Sequence, residues 1–247
     1  MNQREKQGLL TELKVLLRSV PSMTVTVFIV ATISMNLLAN KSMNIPVSWL
    51  GVDCGILVSW IVFLTMDIMT RRFGPRAATL LSLVSIAVNL GMSMIFFLAS
   101  RVSGMWGEAY VEGSEDVINA ALDNTFGGTW YILLGSSIAF FLSAVVNNFL
   151  NWYIGKAFRK DSGFLIYACR SYLSTVVGQF VDNLVFALIV SHHFFGWTLT
   201  QCVVCASIGA VVELLCEVIF SPIGYRISNK WKEEQVGEIY LNRFPPR

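Results

Sequence analysis

The chain predicts an all-α polytopic membrane protein with six transmembrane helices and both termini cytoplasmic. Three observations carry that expectation. Of 247 residues, 55% are hydrophobic and only 14% charged, with mean hydropathy +0.61, too little charge to keep a soluble domain of this size dispersed. Six apolar stretches are each long enough to cross a hydrocarbon core of about 30 Å, which takes about 20 helical residues. Basic residues are partitioned: fifteen fall in one set of termini and connections, Lys41 and Arg101 in the other, and Arg170 inside a span. The positive-inside rule then places both ends in the cytoplasm. A net charge of only +2 gives no signal for nucleic acid.

Residues 1–20 read as an N-terminal amphipathic interfacial segment. GLLTELKVLLR puts Leu9, Leu10, Leu13, Leu16 and Leu17 on one helical face, with Lys14 and Arg18 off it. No small-x-small cleavage site follows, so a removable signal peptide is not expected. Residues 21–225 form the transmembrane domain, with spans near 21–40, 47–70, 77–100, 129–155, 164–190 and 197–222, and 226–247 a cytoplasmic tail. Arg71, Arg72 and Arg76 separate the second and third spans; Lys156, Arg159 and Lys160 separate the fourth and fifth. The long connection after Arg101 is acidic, and its VINAAL piece suits a short interfacial helix. Pro222 is placed to end or kink the sixth helix at the inner interface. The five cysteines all sit in apolar stretches and read as reduced packing residues. Cys202 and Cys205 lack the second pair a zinc site needs, and His192 and His193 suit a solvated outer turn. Asn40-Lys-Ser42 is a minimal glycosylation sequon, a weak signal. No Gly-rich phosphate loop is present, and no metal or cofactor is expected.

The informative residues are polar ones inside the spans, where each ionisable group costs about 2.5–3.5 kcal/mol to insert. The second span carries Asp53 and Asp67, the fifth Arg170 and Asp182, the sixth Glu213 and Glu217; Asn36, Asn89, Asn147, Asn148, Asn151, Gln179, Asn183 and Gln201 add amides. Two or three such groups would serve as interhelical glue. A set spread over every span argues instead for a polar cavity. In the fifth span Ser171, Ser174, Gly178 and Asp182 fall on one helical stripe, flanked by Thr175 and Gln179. Arg170 and Asp182 stand roughly 18 Å apart along that helix and cannot pair. Span direction puts Asp182, Gln179, Asn36 and Asp53 in the outer half. It puts Asp67, Asn147, Arg170, Glu213 and Glu217 in the inner half, where Arg170 has three candidate acid partners. Asp182 has none at its level and is the better ligand candidate. Glu213 and Glu217, one turn apart, read either as a proton-coupling pair or as a structural pair balanced by Arg170.

Four motifs in order resemble one family. Asp67-Ile-Met-Thr-Arg-Arg-Phe-Gly-Pro-Arg-Ala-Ala resembles D-x-x-T-x-x-[FY]-G-x-x-x-A of the queuosine-precursor transporters, also called the vitamin uptake transporter family. Arg170, Ser174, Thr175, Gly178, Gln179, Asp182 and Phe186 fit its R-x-x-x-S-[ST]-x-x-G-[EQN]-x-x-D-x-x-x-F pattern. Asn147 fits a family Asn in the fourth span, and Glu217 with Ser221, Pro222 and Tyr225 fits E-x-x-x-[ST]-P-x-x-Y. The segment from Asn36 to Lys41 resembles the end of the family's first span. This resemblance implies a multi-pass importer in the bacterial inner membrane, not an enzyme, for 7-deazaguanine bases such as preQ0, preQ1 or queuine, salvaged for tRNA modification. Departures fall at Arg71, Gln179 and Glu213, where relatives commonly carry Glu, Glu and Lys.

The residue chemistry is compatible with such a base. A guanine-like edge presents adjacent N–H donors to a carboxylate and a carbonyl to an amide. Asp182 with Gln179, joined by Asn36 or Asn147, supplies those groups, and Trp60, Phe63, Phe140, Phe141, Tyr172, Phe180 and Phe186 are available for stacking. The expected substrate-binding set is Asp182, Gln179, Asn147, Asn36, Ser174, Asp67, Arg170, Glu217 and Phe186. The leading expectation is a secondary or facilitated importer. An alternative is the substrate-binding subunit of an energy-coupling-factor type importer, which would want a small-residue docking stripe on the first span. A third, a membrane enzyme using Glu213, Glu217 and the histidines, fails on depth. The expected partners are a small nucleobase and the bilayer; homo-oligomerisation and proton coupling are compatible with both transport readings.

Overall fold

The computed structural model describes residues 8–39, 41, 43, 46, 54–104, 115–127, 130–157, 163–193 and 196–246. Asp53 and the sequon residues Asn40 and Ser42 lie outside them. Among the described residues every regular element is a helix. These are α1 (Leu9–Ser19), α2 (Ser22–Leu38), α3 (Ile56–Phe73), α4 (Pro75–Ala99), α5 (Glu115–Phe126), α6 (Trp130–Ala157), α7 (Phe164–Phe186, continued by a π turn, Ala187–His192), α8 (Leu199–Glu233) and α9 (Glu238–Arg243).

Four stretches are long and apolar enough to cross a membrane: Pro75–Ala99, Asp116–Ala157, Phe164–His192 and Leu199–Glu233. A fifth counts if α1 and α2, bent by 108° at Val20–Pro21, are one broken span. The sequence predicts six. The difference lies in α3, an 18-residue helix whose apolar run is interrupted by Asp67, Arg71 and Arg72. α7 lies between α6 and α8, with α3 packed against α8, α6 and α4. The apolar core gathers Phe28, Val62, Phe63, Met66, Met69 and Phe140, all essentially inaccessible.

Local sequence explains the element ends. Gly74 at φ 88° makes the sharp exit from α3, and Pro75 supplies the pre-set first residue of α4. Thr198 and Gln201 form a reciprocal capping box at the start of α8. Pro222 does not end α8, which runs on to Glu233. Its missing N–H orphans the Val218 carbonyl, and the Ser221 hydroxyl donates to that carbonyl at 3.3 Å instead. The expected VINAAL helix exists as α5; its Phe126 ring lies 5.0 Å from that of Phe96.

α1 and α9 close over the α3–α4 turn at the end of the bundle where Arg71, Arg72 and Arg76 sit (the basic end). Arg76 donates through Nε and Nη2 to the buried Glu12 carboxylate of α1, and the Tyr240 hydroxyl of α9 donates to the same group at 3.1 Å. Arg72 donates to the Val236 carbonyl at 2.8 Å and pairs with Glu238 at 3.0 Å. Leu9, Leu10 and Leu17 of α1 stay exposed.

Candidate functional site

At the opposite end of the bundle, α2 and α7 arrive by their C-termini while α3, α6 and α8 begin. Their ends enclose a cavity of about 200 Å³. At roughly 30 Å³ per water, that is room for about seven waters, or one small bicyclic molecule. Its polar lining includes Asn36, Ser59, Ser136, Asp182, Asn183 and Glu213, and Phe186 and Trp197 are its aromatic lining residues. The Ser143 hydroxyl donates to Asp182 Oδ1 at 3.0 Å. Ser136 donates to Asn36, Ser59 donates to Glu213, and the Asn183 amide reaches Glu213 at 3.5 Å. The π turn of α7 places Ala187 and Ser191 on the rim; the wider π backbone recurs beside functional sites.

Deeper toward the basic end lies a second, fully buried polar layer. Asp67 of α3 accepts from Asn147 of α6 at 3.0 Å through Oδ1, and from Ser171 and, at 3.5 Å, Thr175 of α7 through Oδ2. The Ser171 hydroxyl also lies 2.6 Å from Glu217 Oε1 of α8. Arg170 reaches Asn151 Oδ1 through Nε at 2.9 Å and Nη2 at 2.7 Å, while Asn151 donates to Ser174 at 3.3 Å. Below this layer the Arg71 guanidinium lies 5.1 Å from the Tyr167 ring centre and 4.9 Å from that of Tyr225, and donates to Ser228 at 2.7 Å. The two rings, tilted 55° to each other with centres 5.6 Å apart, hold the guanidinium by cation–π contact.

The nine expected site residues therefore divide. Asn36, Asp182 and Phe186 line the cavity; Asp67, Asn147, Ser174, Arg170 and Glu217 belong to the buried layer. Gln179 is neither: it is completely buried, does not line the cavity, and neither its amide nitrogen nor its oxygen has a hydrogen-bond partner among the described residues. Arg170 gives Asn151 two hydrogen bonds, and its charge acts on Asp67 through space. Two readings need correction. Asp182 and Gln179 do not face one binding volume, because a spacing of three residues turns Gln179 about 60° off the Asp182 stripe. Glu213 lies at the cavity, not the inner layer, so the Glu213–Glu217 pair is split between the two sites.

Glu213 was visible in the sequence as an ionisable residue in a span, but its i, i+4 relation to Glu217 suggested a shared role. Ser59, Ser136 and Trp197 carry no comparable signal. Of the seven aromatics considered for stacking, Phe186 alone reaches the cavity; Trp60 instead stacks on Phe220 at 3.8 Å. Gly178 does mark a close approach: a Cβ there would meet Asn147 Cβ at 2.9 Å, so α6 is the neighbour that needs the space.

A cavity at helix ends, backed by a buried layer of carboxylates, amides and one guanidinium within a bundle of apolar helices, defines a multi-pass membrane transporter. The family model described as "Putative vitamin uptake transporter" matches residues 53–227, and the chain belongs to that family, one of transporters rather than enzymes. Over 159 residues it is 26% identical to a Bacillus subtilis (strain 168) protein named "Probable queuosine precursor transporter", an alignment covering 64% of each chain. The match thus spans just under two thirds of that curated relative's length. No solved structure matches. The protein is a multi-pass protein of the bacterial cell (inner) membrane.

Proposed function

We propose that the chain imports queuosine precursors, 7-deazaguanine bases, by a secondary or facilitated route. In this reading α2, α3, α4, α6, α7 and α8 are six spans, both termini are cytoplasmic, and the cavity faces outward. The alternating direction of the helices meeting at the cavity supports this topology, as does the concentration of arginines at the other end.

The observation that carries the substrate reading is the cavity's donor and acceptor set. Asp182 accepts the paired N–H groups of a guanine-like edge. Asn36, whose oxygen already accepts from Ser136, turns its NH₂ to the base carbonyl. Phe186 and Trp197 flank the ring plane. Glu213 supplies a second acid, suited to the ammonium of an aminomethyl substituent. The orphan amide of Gln179 lies on the next turn inward, a stopping point between the cavity and the buried layer.

The test is rescue. The chain is expressed in a strain unable to make queuosine precursors, each candidate base is fed, and tRNA queuosine is measured. At least one base restores the modification, and Asp182→Asn lowers that rescue at least tenfold. Full rescue by Asp182→Asn would remove Asp182 from the site; no rescue by any base would remove the substrate class.

A further inference from the structure

The buried layer contains two carboxylates and one hydroxyl whose hydrogen bonds do not close without an added hydrogen. Ser171 has a single O–H, yet its oxygen lies at hydrogen-bond distance from both Asp67 Oδ2 and Glu217 Oε1. If both acids were ionised, one of these contacts would set an anionic oxygen against a lone pair with nothing between them. The two acids are also unequal. Asp67 receives donors on both oxygens, from Asn147, Ser171 and Thr175, and feels the Arg170 charge. Among the described residues Glu217 has Ser171 alone, and its Oε2 is buried without a partner. A bare, buried carboxylate oxygen is costly, whereas the carbonyl oxygen of a protonated acid is much less so.

We propose that Glu217 carries a proton, donated to Ser171, which in turn donates to Asp67, and that this proton is the coupling ion of transport. The inference rests on the importer reading above. One added hydrogen satisfies every contact in the chain Glu217–Ser171–Asp67 and leaves Asp67 ionised under the influence of the Arg170 charge. The groups around them agree with that balance. α7 contributes Arg170 and Tyr167, α8 contributes Glu217 with Glu213 one turn toward the cavity, and α3 itself contributes Arg71. Among the described residues α6 contributes the amides of Asn147 and Asn151; α2 carries no titratable side chain, and the one on α4, Arg76, is held by Glu12. Glu213 borders the cavity one turn from Glu217 on the same helix, and a proton entering from that side reaches Glu217 by way of it.

Two measurements on the purified full-length protein test this separately. The first is infrared difference spectroscopy at neutral pH, wild type against Glu217→Gln and against Asp67→Asn. A protonated-carboxyl C=O band should appear in the wild type and be lost in Glu217→Gln; its absence would overturn the shared proton even if transport is normal. The second uses proteoliposomes holding a pH-sensitive dye, potential clamped, given the neutral base 7-cyano-7-deazaguanine. The lumen should acidify by about one proton per base taken up, and an inward proton gradient should concentrate the base at least fivefold, an effect abolished by a protonophore. Base that equilibrates without lumenal acidification would overturn the coupling while leaving the importer reading intact. No uptake under any gradient would overturn the importer reading, with the infrared band still deciding the proton. Ser171→Ala, which keeps both acids, should lower the proton-to-base ratio; an unchanged ratio would remove Ser171 as the relay.

Discussion

Gln179 concentrates the conflict between stability and use at the scale of one residue. It is fully buried and both polar atoms of its amide are unpartnered among the described residues, an arrangement that costs about 1–3 kcal/mol per unsatisfied group. Replacing it with leucine, of similar volume, should therefore raise the thermal midpoint of the detergent-solubilised protein while cutting base-dependent rescue at least tenfold. A destabilised variant would mean the amide is bonded in the resting protein and has only a packing role. The sequence places Gln179 beside the Ser171–Asp182 stripe correctly, and periodicity also picks out Gly178 as a point of close approach. What it cannot resolve is which layer a side chain serves. Glu213 and Glu217 differ by four residues, roughly 6 Å of rise, and that rise is the separation between the cavity and the buried layer. Helical phase reports the shared face; only the packing of Ser59 against one and Ser171 against the other reports the division.

Element boundaries were legible where local chemistry sets them and obscure where a neighbour does. The Gly74–Pro75 junction and the Thr198 start of α8 follow from backbone rules. The passage of α8 through Pro222 depends on Ser221 bonding back to Val218, a compensation that local propensity misses. The union of α1 and α9 was also hidden, because Glu12 and Tyr240 are 228 residues apart. Glu12 is buried whereas the Arg76 side chain is 54% exposed, so the arginine can return to water when its partner is lost. Glu12→Ala should then lower stability by about 1 kcal/mol through the lost hydrogen bonds, and Tyr240→Phe by somewhat less. Thermal unfolding in detergent checks both. If neither shifts the midpoint, the clasp contributes nothing to holding the termini on the bundle. Its position over the Arg71–Arg72 turn makes it the neighbour of the basic end, so loosening it should also raise leak of the base through proteoliposomes.

At the scale of the molecule, the two ends of the bundle differ in chemistry, and that asymmetry makes the orientation testable. The cavity end gathers Asn36, Ser136, Asp182 and Trp197; at the other end Arg71 lies against the Tyr167 and Tyr225 rings. With the five native cysteines replaced, a single cysteine at Ser136 samples the cavity and one at Lys230, whose side chain is 70% exposed, samples the basic end. In intact cells a membrane-impermeant thiol reagent should modify the Ser136→Cys protein and spare the Lys230→Cys protein; permeabilisation should expose the second. Saturating base should slow labelling at 136 several-fold and leave 230 unchanged, since only the first shares the cavity. An inverted pattern would place the termini outside and turn the importer reading into export. Labelling of both positions in intact cells would break the alternation of the six passes. The expected orientation comes from charge in the connections, and the cavity's place at the other end then fixes which face of the membrane the base meets first.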